Sequence, residues 1–130
     1  VGEIYDTQDF LRQPSYNPPK KIREKAFEEV RAEKYEGLPT RTKCLFASIS
    51  LETAKVWLDI LGGEKQLLKI RPISGKYVFL DEEYYDLETF EDNVMINDAH
   101  EYWSGYTLLD GIKIAVLFEG VFRIEEEIYI

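Results

Sequence analysis

The stretch Pro39–Leu61, PTRTKCLFASISLETAKVWLDIL, constrains this chain most, because it joins a short apolar run to a capped amphipathic helix. Cys44, Leu45, Phe46 and Ala47 form a run too short for a helix and bounded by polar residues, the pattern of a strand covered on both faces. Ser50 then offers an oxygen to the free amides of a helix start. Leu51, Ala54, Trp57, Leu58 and Leu61 recur behind it at three- and four-residue steps. Gly62-Gly63 supplies the left-handed stop. Arg41 enters the strand and Ser48 leaves it. Two polar groups flanking a rigid element suit a small-molecule site, and they are also how strands begin and end.

A chain of 130 residues fits one domain, 1–130, burying about two-thirds of its unfolded surface. Its 45% apolar and 14% aromatic content belongs to a folded globular chain. No apolar run approaches the roughly 20 residues that cross a bilayer, so no membrane partner is expected. The lone cysteine, Cys44, sits in the apolar run, which suits a reducing, cytoplasmic setting. No cysteine or histidine spacing suits a metal. A net charge of −9 disfavours broad binding to a phosphate backbone; it leaves open a nucleic-acid substrate held by a local basic patch and, at least as well, a basic protein partner.

Residues 1–10 read as an extended arm, and the prolines of 12–19 make a loop. A helix is expected over 20–35, with Ile22, Ala26, Phe27 and Val30 inward and its charged residues outward. After the glycine stop, 66–73 reads as a strand, Ser74-Gly75 as a turn, and Tyr77–Leu80 as a returning strand. The acidic run 81–92 reads as a solvated face from which Tyr84, Leu87 and Phe90 reach inward, or as a surface for basic partners. A helix starting at Asn93 or Asn97 turns Val94, Ala99, Tyr102 and Trp103 inward and stops at Gly105. His100, the single histidine, reads as a surface or half-buried residue. Ile112–Phe118 and Val121–Ile130 read as two strands around a bend at Glu119-Gly120. This element order predicts an α+β fold with two to three helices.

Phosphate loops, nucleophile elbows and metalloprotease motifs are absent. Three segments in this order nevertheless resemble the small bacterial members of the ADP-ribosyltransferase-like superfamily. They are the Pro39-Thr40-Arg41 triplet running on through CLFAS to Trp57, the Tyr102-Trp103-Ser104-Gly105 segment, and AVLFEGVFRI from Ala115 to Ile124. Thr40 stands where that group usually has serine.

The resemblance implies a split β-sheet core and NAD as substrate, in a toxin or effector type of domain. It implies that Arg41 meets the NAD phosphate or ribose, that Ser48 orients the ribose, and that Tyr102 or Trp103 stacks beside nicotinamide. It also implies that the family's catalytic glutamate position falls on Ala115. Glu119 lies four residues on, about 13 Å along a strand, too far to replace it. A methyl group cannot stabilise the positive charge that develops as the nicotinamide bond breaks, a loss on the order of 10² in rate. The family's first strand is expected upstream of Val1. The acceptor, protein or nucleic acid, is not implied. A second reading is a non-catalytic acidic module for a basic partner such as an antitoxin, immunity protein or chaperone, and a third is an acidic decoy that mimics nucleic acid.

Overall fold

The computed structural model describes residues 1–9, 18–62, 66–87, 91–106 and 113–128. The chain is α+β. In order it forms β1 (Ile4–Asp6), α1 (Pro18–Lys34), β2 (Leu45–Ala47), α2 (Leu51–Leu61), β3 (Leu67–Asp81), α3 (Glu83–Asp86), α4 (Asp92–Ser104) and β4 (Ile114–Ile128), with a single 3-10 turn after β1. Of the loop expected over 12–19, Pro18 and Pro19 already belong to the first turn of α1, where a missing N–H costs nothing, while residues 12–17 lie, with Gly63, Phe90, Ile112 and residues 129–130, outside the described residues.

β4 is the spine of a four-stranded antiparallel sheet. One edge pairs with β3 along its whole length, from Leu67 opposite Ile128 to Asp81 opposite Ile114. The other edge takes two short strands in line, β2 against Val116–Phe118 and β1 against Val121–Arg123. Neither of the expected strand breaks occurs. β3 and β4 each run unbroken for 15 residues, through Ser74-Gly75 and Glu119-Gly120. The reason is that Gly75 and Gly120 sit directly opposite each other. A Cβ on Gly75 would overlap the Glu119 carbonyl and Gly120 Cα, and one on Gly120 would overlap Ser74 and Gly75. Their φ angles of +132° and +156° suit glycine alone. The turn signal was real, but it marks a close backbone approach within a ladder.

This glycine pair divides the ladder into two halves. Around β2, the half at Tyr77–Asp81 and Ile114–Phe118 carries Leu80, Ala115 and Leu117 into a core with Phe27, Val30, Cys44, Tyr84, Ala99, Tyr102 and Trp103. α1 and α4 pack against each other over it. The other half, alongside β1, is largely exposed on β3.

α1 turns a different stripe inward from the one expected. Phe27 and Val30 are buried, but Ile22 is 56% exposed while Arg23 is 1% exposed. Arg23, Phe27 and Val30 fall at i, i+4 and i+7, one helix face. The Arg23 guanidinium donates to the Tyr84 and Tyr85 carbonyls and pairs with Asp98 on α4 at 3.4 Å, so the charge is met inside. Burial lowers its pKa, with Asp98 opposing. α2 starts at Ser50 as expected, where a capping box with Thr53 closes both orphan groups, and Gly62 ends it. Its apolar stripe, however, is not sunk into the core. No α2 residue is fully buried, though Ala54, Trp57 and Leu58 are half-buried, and Trp57 donates to the Ile114 carbonyl at 3.1 Å.

Candidate functional site

Pro39 is fully buried and Thr40 is fixed by its neighbours. The Thr40 amide donates to Glu119 Oε1 at 3.0 Å, and its hydroxyl donates to Glu28 Oε2 at 2.9 Å. Glu28 in turn accepts from both Nε and Nη2 of Arg31, one turn along α1. Burial pushes the Glu28 carboxyl up, but Arg31 and Thr40 outweigh it and hold the group below its ordinary value. Glu119 is thus the acceptor that ties the Pro39–Arg41 segment to β4.

That anchoring aims Arg41 inward from the turn before β2. It is 4% exposed. Nη1 donates to Glu82 Oε1 at 2.5 Å and to the Tyr102 hydroxyl at 2.6 Å. Tyr102 donates onward to Glu82 Oε2 at 2.5 Å, closing a three-membered ring of hydrogen bonds. The guanidinium carbon lies 3.6 Å from the Tyr85 ring centroid and 4.9 Å from that of Phe46. Nε is buried with no hydrogen-bond partner. Burial works against the charge, but Tyr102 and Glu82 outweigh it and hold the guanidinium above its ordinary pKa. Burial likewise pushes the Tyr102 phenol well above its ordinary value, with Arg41 opposing. Arg41 is therefore a permanent, closed-in cation.

The other predicted positions lie around this ring. Tyr102 is fully buried and Trp103 is 2% exposed. Their rings meet edge to face at 4.9 Å, and Trp103 Nε1 donates to the Phe27 carbonyl at 2.8 Å. Ala115, 4% exposed, stands opposite Leu80 in the same core. Ala47 pairs with Val116, so Ser48 and Ala115 are the next residues on two neighbouring strands. Ser48 is half-buried and leaves the ladder there. The structure thus gathers Arg41 with Tyr102, and Ser48 with Ala115, but Arg41, Tyr102, Trp103 and Ala115 all face packed interior.

Sequence reasoning missed Glu82 and Arg23. Glu82 was hidden inside an acidic run read as solvated, yet it is 6% exposed and its neighbour Asp81 is 1% exposed. The available signal was its place two residues after the apolar Tyr77–Leu80. His100 is half-buried, with its ring 6.2 Å from that of Tyr35. No group of three or more metal-ligating side chains occurs among the described residues. None of their helices is long and apolar enough to span a membrane.

A family model described as a protein of unknown function, DUF2441, matches residues 4–129. The chain belongs to this family. No curated protein matches it. In this DUF2441 chain the match covers every described strand and helix, so the Arg41–Glu82–Tyr102 ring lies within the family's own span.

Proposed function

We propose that this DUF2441 chain is an ADP-ribosyltransferase-like domain that does not carry out the transfer step. The reading is supported by the order of its three resembling segments and by one observation above all. β2, which follows Arg41, is the direct antiparallel neighbour of β4 at Val116–Phe118, immediately after Ala115. Two segments far apart in sequence are brought together as a shared wall would require.

The residues present do not fit NAD as the resemblance implies. The charge of Arg41 is spent on Glu82, and the rings of Tyr102 and Trp103 are covered. Ser48 alone of the expected contacts reaches solvent. No carboxylate stands at 115 to stabilise an oxocarbenium-like charge. Incubation with NAD should therefore release no nicotinamide above the buffer rate. A melting curve should not shift at millimolar NAD, since only binding to the folded state would raise it. Steady nicotinamide release would overturn the loss of transfer.

A second reading, a module for a basic protein partner, is favoured by α2. Leu51, Val56, Ile60 and Leu61 on this helix, and Ile49 before it, are exposed, alongside the acids Glu52 and Asp59. Glu82 takes no part in such a surface, because it is buried. Charge reversal belongs at Glu52 and Asp59, the exposed acids of α2. Loss of a captured basic partner on Glu52→Lys with Asp59→Lys supports this reading, and unchanged capture opposes it.

A further inference from the structure

On the exposed half of the sheet, Arg71 of β3 and Arg123 of β4 are directly opposed. Residues opposed in an antiparallel pair put their side chains on one face with Cβ atoms about 5 Å apart, and like charges there repel. A bulge beside Ile70 drops Glu125 out of register, so Lys69 pairs with Glu126 on that same face. Three cations are thus gathered within two strands. Two carboxylates face them. Glu125 Oε1 accepts from Arg71 Nε at 2.8 Å, and Glu126 stands across from Lys69. Arg123 has no ion-pair or hydrogen-bond partner among the described residues, and its side chain is exposed. Its partner on the other strand is Ile4, which is 54% exposed. Arg123 and Lys69 line an open groove of about 400 Å³ with Val1, Gly2, Ile124, Glu125 and Glu126.

We propose that Arg123, with Arg71 and Lys69, forms a binding site for a phosphoryl-bearing anion on this face. A guanidinium fork donates to two phosphoryl oxygens at once, and a bridging anion turns the repulsion between Arg71 and Arg123 into shared attraction. The site does not rest on the NAD reading, since it lies across the glycine pair from Arg41. It takes the phosphoryl group itself, whether from a free anion or a nucleotide.

The test is calorimetric titration of the whole chain at low salt with inorganic pyrophosphate and, separately, with ADP. Sodium chloride of matched ionic strength is the control. Saturable binding of pyrophosphate is expected, weakened about tenfold in Arg123→Gln and less in Arg123→Lys, which keeps charge but loses the fork. Equal affinity for ADP assigns the site to the free anion's chemistry, and markedly tighter ADP assigns a nucleotide. Without ligand, Arg123→Gln should melt no lower than the parent, because a like-charge pair is gone. Absence of saturable binding by either probe, or binding that Arg123→Gln leaves within twofold, overturns the proposal.

Discussion

The two halves of the β3–β4 ladder use the same kind of residue in opposite ways. On the Ala115 side, Arg41 is shut in with Glu82 and Tyr102 under α1 and α4. On the far side of Gly75 and Gly120, Arg71 and Arg123 stand in solvent opposite each other. Charge inside a core must be fully met or it is destabilising by several kcal/mol, whereas charge on an open strand is screened and tolerated. One half is therefore organised around its polar ring, while the other pairs Arg71 with Glu125 at the surface and leaves Arg123 open.

The sharpest way to break this contrast is to remove one partner from the closed half. Arg41→Ala or Glu82→Ala leaves an unmatched buried charge and should lower stability by about 3–5 kcal/mol in urea unfolding. At the joint, Gly120→Ala forces a Cβ into the Ser74 carbonyl at a φ of +156° and should cost about 3 kcal/mol in the same assay.

Tyr84 supplies a pH arm. Burial, helped by its hydrogen bond to Glu101, pushes its phenol up to about 12 from the usual 10.0. The folded state holds that proton more tightly than the unfolded chain. The corresponding stability is complete below pH 10 and is lost as pH rises towards about 12. Melting temperature followed across that window should fall less steeply in Tyr84→Phe. Ser50→Ala, which removes the α2 cap, should cost about 1 kcal/mol. On the open half, Arg71→Gln should change stability by less than about 0.5 kcal/mol in moderate salt.

Local signals in the sequence carried much of this architecture. Ser50 and Gly62 bounded α2, Gly105 ended α4, and Tyr102 and Trp103 faced the core as their spacing required. What could not be read was long-range. Gly75 looked like a turn because its partner, Gly120, lies 45 positions away in sequence and only the ladder brings them together. Arg23 and Glu82 looked solvated because a buried charge is legible only with its partner, and Asp98 and Arg41 come from other elements. α2 looked core-facing because periodicity reports an apolar face and not what covers it.

The same limit applied to the candidate site. Arg41 stood out by its position before an apolar strand, and that position was informative. Its orientation was set by Glu28, Thr40 and Glu119, contacts that span much of the chain.

A double-mutant cycle on Arg41 and Glu82, read by urea unfolding, bears most directly on whether that arginine fastens the fold. Each alanine variant alone should be strongly destabilised, and the double variant should recover at least about 2 kcal/mol relative to the sum. Losses that simply add, or an Arg41→Ala protein as stable as the parent, would mean the guanidinium is free to serve a ligand.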